Sequence, residues 1–231
     1  MYFRGSTITK AHFNWINSKY NLKGADKIIL TGKSAGGIAA NMWSNYLKTY
    51  VQSDSKVYPI PDSGVYINVA TQLGDPAFQN KLENIFKVSN GQEATPNEGC
   101  NNANKGSEWK CFFMENLYPH LKGKFMVINS QANAYDLAKL DFEKCLKRKG
   151  TSKSSVQKCS FAQVNYVEKY IDAYREVLSK FSEANNEVSI WSKECPPFVN
   201  AKQILYYDSP LERVPAIASA IAREAIDSFV L

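Results

Sequence analysis

Apolar and polar positions along the chain repeat with two periods, and the periods alternate. Ile8, Phe13 and Ile16 fall on one face of a helix running to about Tyr20, and Ser6 and Thr7 are placed to cap its start. "KIIL" (27–30) is too short and too uniformly apolar for a helix and predicts a buried strand. "GGIAANMWSNYLKTYV" (36–51) then returns to the helical period, with small residues at its beginning. "SKVYPIP" (55–61) predicts a second strand, followed by the turn "DSGVYI" (62–67). "PAFQNKLENIFKVS" (76–89) predicts an amphipathic helix, residues 90–110 a polar loop, and "FFMENLYPHL" a short helix. "KFMVIN" (124–129) and "EVSIW" (187–191) predict two further strands. Helices are expected over 134–149, 161–184 and 215–230, and Pro215 suits a first turn. Strands alternating with helices place the chain in the α/β class with a mostly parallel sheet of about four strands. No internal repeat appears.

One junction in this pattern carries chemistry. Between the strand "IIL" and the helix "GGIAANMW" stands Gly32-Lys33-Ser34-Ala35-Gly36. A serine at the tip of a strand-to-helix turn, flanked by glycines at −2 and +2, is the arrangement that presents a nucleophile, because a Cβ at those flanks would strike the neighbouring backbone. The N–H of Ala35 would supply an oxyanion donor. Such a serine needs a base, and the chain holds two histidines, His12 and His120. His120 precedes the strand at 124–129, at the end opposite to that where such sites form. His12 lies in the helix ahead of the turn. Neither is expected within hydrogen-bond reach of Ser34. Lys33 points away from its neighbour on a sharp turn and is expected in solvent.

Composition narrows the class further. The 231 residues are 44% hydrophobic and 13% aromatic, enough for one domain with a substantial core, and the net charge is +6. The lysines are scattered apart from "KCLKRKGTSK" (144–153), which reads as a solvated face. No nucleic-acid motif is present, no run is long enough to cross a bilayer, and residues 1–10 lack the apolar stretch of a signal peptide. The cysteines point elsewhere. Cys100 and Cys111 bracket one hydrophilic loop, and Cys145 and Cys159 bracket another. Such pairs suggest local disulfides and an oxidising compartment, with zinc as the competing reading. Cys195 is left over.

Several stretches together resemble the pectin acetylesterase/Notum family of carboxylesterases. "MYFRGSTI" and "KIILTGKSAGGIAA" are similar to its "YFRG … L-x-G-[CS]-S-A-G-G", and "PDSGVYIN" to its "D-[SA]-G-[FW]-F" turn. "CFFMENLYPHLKGKFMVIN", "KCSFAQVNYVEKYIDAYREVL", "IWSKEC" and "YYDSPLERVPAIASAIAREAI" match later family segments in order. The resemblance implies an α/β-hydrolase-like fold over residues 1–231, with the N-terminal part of the sheet missing. It also implies hydrolysis of O-acyl or acetyl esters at a Ser-Asp-His triad without a cofactor or metal. The partner would be an acylated polysaccharide or acylated protein, the chain a monomer, and the location secreted or endomembrane. Carried over position by position, the nucleophile is Ser34, the acid falls on Asn133 and the histidine on Phe198. From the residues alone Asn133 reads first as a cap for "AYDL", and Asp136, a displaced candidate acid, reads first as a residue favouring the helix start. The family's upstream "G-G-G-W-C" segment, which supplies the second oxyanion donor, does not occur in the chain. These substitutions imply weak or absent activity. The alternatives are a non-catalytic glycan- or acyl-binding protein and a truncated product of an active family member.

Overall fold

The computed structural model describes residues 3–51, 56–91, 95–130, 160–184 and 188–193. Four strands form one sheet, β1 (Lys27–Lys33), β2 (Lys56–Asp62), β3 (Phe125–Ser130) and β4 (Val188–Lys193), ordered β1-β2-β3-β4 and parallel throughout. Parallel neighbours need long crossovers, and the connecting segments supply them. α1 (Gly5–Tyr20) precedes β1, and α2 (Ala35–Leu47) joins β1 to β2. α3 (Ala77–Val88) and α4 (Glu98–Ala103) lie between β2 and β3, and α5 (Phe161–Ala184) lies between β3 and β4.

The core forms where β3, α2 and α5 meet. Phe125, Met126, Val127, Ile128 and Asn129 are all buried, so β3 is covered on both faces. α2 buries Ala40, Met42, Trp43 and Leu47, and Phe13 of α1 packs edge-on against Trp43. α5 presents Val167, Tyr170, Tyr174, Leu178 and Phe181, a stripe at helical spacing, and Tyr118 stacks on Phe181 at 4.2 Å. The Tyr118 hydroxyl donates to the Phe181 carbonyl at 2.6 Å. Among the described residues, no helix is long and apolar enough to cross a membrane.

β2 carries Pro59 and Pro61, which is unusual for a strand with neighbours on both sides. The Ser34 amide reaches the Asp62 carbonyl, so even-numbered residues of β2 turn their polar groups toward β1. Pro59 and Pro61 therefore face β3 and have no N–H to offer it. Pairing on that side reduces to Asp62 against Ile128, whereas β1 pairs along the full length from Lys27–Lys56 to Lys33–Asp62.

Several expectations are corrected. The first strand does not stop at Leu30 but runs to Lys33, because backbone pairing with β2 continues where the apolar pattern ends. The first helix starts at Gly5 after Arg4, and neither Ser6 nor Thr7 caps it; Ile8 is 65% exposed rather than inward. The polar stretch 90–110 is not one loop. It contains α4, whose start is fixed by the Asn97 side chain accepting from the Cys100 amide at 3.0 Å. The "FFMENLYPHL" helix is a single α-turn at Met114–Leu117 between tighter 3₁₀ turns. The expected Cys100–Cys111 disulfide, by contrast, is formed, with both cysteines wholly buried. The expected helices at 134–149 and 215–230, the pair Cys145 and Cys159, and Cys195 lie outside the described residues.

Candidate functional site

Ser34 is the single residue between β1 and α2. Its backbone has φ 55° and ψ −118°, a left-handed conformation that disfavours any side chain by about 1–2 kcal/mol. Three hydrogen bonds hold it there. Its amide donates to Asp62 O at 2.8 Å, and its carbonyl accepts from the amides of Gly37 and Ile38 at 2.9 and 3.2 Å. The Ala35 amide is the first of the helix, one of those that no helical carbonyl can satisfy.

The glycines explain why the turn can close. A Cβ on Gly32 would lie 2.2 Å from the Gly36 carbonyl oxygen, so that glycine is required by contact. Gly36 is not required in that way, since a Cβ there meets nothing within 4 Å. The expectation that both flanking glycines avoid a clash is therefore right for Gly32 alone. The second close approach is one residue later, where a Cβ on Gly37 would fall 2.7 Å from Gly64 Cα and one on Gly64 would fall 2.5 Å from Gly37. Gly64 belongs to the turn after β2, so α2 and that turn touch backbone to backbone.

That approach brings Tyr66 to Ser34. The Tyr66 hydroxyl lies 3.3 Å from Ser34 Oγ, and either atom can donate. Tyr66 is buried against Phe78, Phe86, Trp109 and Phe113, and its carbonyl accepts from the Met114 amide at 2.9 Å. The serine opens on a cavity of about 410 Å³, walled by Ile38, Met42, Trp43, Phe78, Leu82, Ile85 and Phe112, with Lys81 at its edge. Beside the turn, burial pushes the Asp62 carboxyl above the usual carboxylate range, opposed by the Ser63 hydroxyl and the nearby Lys33 ammonium. Asp62 Oδ1 accepts from Ser63 Oγ at 2.9 Å.

The histidines lie elsewhere. His12 sits on the exposed side of α1 beside Trp15, with ring centroids 5.9 Å apart. His120 lines a separate polar cavity of about 430 Å³ with Asn45, Thr49 and Glu98, and its carbonyl accepts from Asn45 Nδ2 at 2.6 Å. Among the described residues, the hydrogen-bond partner of Ser34 Oγ is Tyr66. Asn133, Asp136 and Phe198 lie outside the described residues. Tyr66 is the site residue that sequence reasoning passed over. Its signal was available, since the family pattern has a phenylalanine at that place in the "D-S-G" turn and this chain has a residue with a hydroxyl.

Comparison with known proteins identifies the family and the fold. A profile described as pectinacetylesterase matches residues 1–231. Pectin acetylesterase 5 of Arabidopsis thaliana is 27% identical over 136 residues, covering 59% of this chain and 30% of that protein. The palmitoleoyl-protein carboxylesterase NOTUM of Schmidtea mediterranea is 26% identical over 155 residues, covering 62% of this chain and 28% of its own length. The matches thus take in less than a third of either relative. A solved structure of the Wnt deacylase Notum from Drosophila superposes with a TM-score of 0.64 at 16% identity, covering 96% of this chain and 60% of that one. The fold is therefore α/β-hydrolase-like.

Proposed function

Because the chain belongs to the pectinacetylesterase family, we propose that it carries an ester-hydrolase site built on Ser34 whose proton relay is degenerate, so that it binds acyl esters and turns them over weakly or not at all. The family supports an esterase or deacylase kind of function. The observation that carries the reading is the surrounding of Ser34, a strained turn at the mouth of an apolar cavity with a tyrosine, not a histidine, on its hydroxyl. A serine hydroxyl is a weak nucleophile until a base takes its proton. In this reading Asn133 stands in the place of the acid and Phe198 in that of the histidine. An amide could orient an imidazole but has none to orient, and a phenyl ring moves no proton.

In the binding reading the apolar walls take the acyl group of an acylated polysaccharide or protein, and the Ala35 amide points at its carbonyl oxygen. The buried Cys100–Cys111 disulfide supports an oxidising compartment. The test is a fluorophosphonate probe at neutral pH with p-nitrophenyl acetate turnover beside it. Ser34 should label poorly, and the pair Asn133→Asp with Phe198→His should raise the labelling. Efficient hydrolysis by the unaltered chain, abolished in Ser34→Ala, would overturn the degenerate reading.

A further inference from the structure

We infer that Tyr66 is the proton acceptor of Ser34, serving in its phenolate form as the base that the two histidines do not provide. The inference rests on the reading of Ser34 as a nucleophile and goes beyond it by assigning the relay. Three observations carry it. The phenol oxygen is 3.3 Å from Ser34 Oγ, near the distance across which a proton passes in a positioned pair. The ring cannot swing away, because Phe78 lies 5.7 Å from it centroid to centroid, Phe86, Trp109 and Phe113 complete the packing, and Tyr66 is 5% exposed. Its backbone is fixed by the Met114 amide on its carbonyl and by the Gly37–Gly64 contact two residues before it. A ring so constrained keeps its hydroxyl beside Ser34 Oγ.

The step balances within the residues present. As Ser34 Oγ attacks an acyl carbon, its O–H bond breaks, the proton passes to the phenolate oxygen of Tyr66, and the electron pair forms the new C–O bond. The carbonyl electrons move onto oxygen, facing the Ala35 amide. Collapse breaks the bond to the leaving alkoxide, which takes the proton from Tyr66. Water repeats the sequence on the acyl-serine, giving up its proton to Tyr66 and releasing the acid, and Ser34 regains its hydrogen. Among the described residues, four charged groups bear on this region. Lys81 of α3 lines the same cavity, and a cation within about 4–6 Å of the phenol would favour its ionised form against the burial that disfavours it. Glu115 accepts from the Asn68 amide at 2.8 Å, Asp62 is engaged with Ser63, and Lys110 lies over Trp109 at 5.9 Å.

The experiment is the rate of fluorophosphonate labelling of Ser34 from pH 6 to 10.5, in the unaltered chain, Tyr66→Phe and Ser34→Ala, with folding checked by circular dichroism at each pH. The unaltered chain should label slowly at pH 6 and accelerate toward pH 10.5 as the phenol ionises, burial of the ring holding that ionisation above the ordinary phenol range. Tyr66→Phe keeps the ring and removes the oxygen. Its labelling at pH 10.5 should be lower by about a hundredfold, without that alkaline acceleration. Matching profiles for Tyr66→Phe and the unaltered chain would overturn the relay and leave Ser34 as a nucleophile. An inflection near pH 6.5 in both would assign the proton to a histidine instead. Labelling that persists unchanged in Ser34→Ala would remove the serine reading on which the relay depends.

Discussion

Two turns at the carboxyl ends of neighbouring strands share a serine at positive φ and differ in chemistry. After β1 comes Ser34 at φ 55°, and after β2 comes Ser63 at φ 52°. Each donates its amide to a carbonyl on the next strand at 2.8 Å, Ser34 to Asp62 and Ser63 to Ile128. The hydroxyls then part. Ser63 Oγ folds back onto the Asp62 carboxylate, while Ser34 Oγ meets Tyr66 at the cavity mouth. The segment after each serine differs as well, a helix with unsatisfied first amides in one case and a run in neither helix nor strand in the other. A strained serine is thus a by-product of making a parallel strand turn sharply. It becomes a candidate site where a helix start and a cavity converge on it.

The largest test of this comparison is the contact that locks the two turns together. Gly64→Val should destabilise by about 3 kcal/mol, since the added atoms overlap the Gly37 backbone, which cannot yield as a flexible side chain would. Gly36→Ala, with open space at its Cβ, should leave the urea midpoint unchanged or raised. Equal effects would show that the turns are not in register through Gly37 and Gly64.

Next in size is the support beneath Tyr66. Cys100→Ala should lower stability by about 3 kcal/mol in the chain-entropy view, because it frees the segment that carries Trp109 and Phe113. Thermal unfolding with and without reductant measures it, and a reductant-insensitive Tm for the unaltered chain would contradict it.

The two serines can then be compared directly. Ser34→Gly removes the strain and gives up one hydroxyl contact, so it should raise stability by about 1 kcal/mol. Ser63→Gly relieves similar strain but loses its hydrogen bond to Asp62, worth about 1 kcal/mol, and should come out near neutral. Urea unfolding of the two variants measures both, and a destabilised Ser34→Gly would mean that the hydroxyl contributes more than the conformation costs.

The smallest effect is electrostatic. Burial raises the folded-state pKa of Asp62, so the folded chain binds its proton more tightly than the unfolded chain, and stability falls as pH rises above the ordinary carboxylate range. Asp62→Asn keeps an acceptor for Ser63 and removes the charge. Its Tm should exceed that of the unaltered chain at neutral pH and converge with it in acid. A variant less stable at neutral pH would show that the attraction of Lys33 outweighs desolvation.

Most of the framework was legible because it depends on period and punctuation. The four strands, the long helix at 161–184 and the Ser34 junction come from apolar runs, helical spacing and glycine placement. Three things were hidden for separable reasons. The extension of β1 through Thr31, Gly32 and Lys33 depends on backbone pairing, which leaves no side-chain signature. α4 is nucleated by one Asn97 side chain within a segment whose composition reads as loop. Tyr66 is 32 residues from Ser34 in sequence and reaches it through the Gly37–Gly64 approach, a contact made by the absence of side chains. Gly36, conversely, was assigned a steric role that belongs to Gly37.

The Cys100–Cys111 link also changes what a cut in the chain means. Residues 101–110 are bridged by a covalent bond outside the peptide backbone, so a protease that cleaves among them leaves a single molecule, which separates into two bands only on a reducing gel. Both sulfurs are fully enclosed, so a thiol reductant reaches them when α4 and the turn at Glu108–Phe112 part. The rate of reduction in the native protein therefore times the local opening of that hairpin, independently of global unfolding.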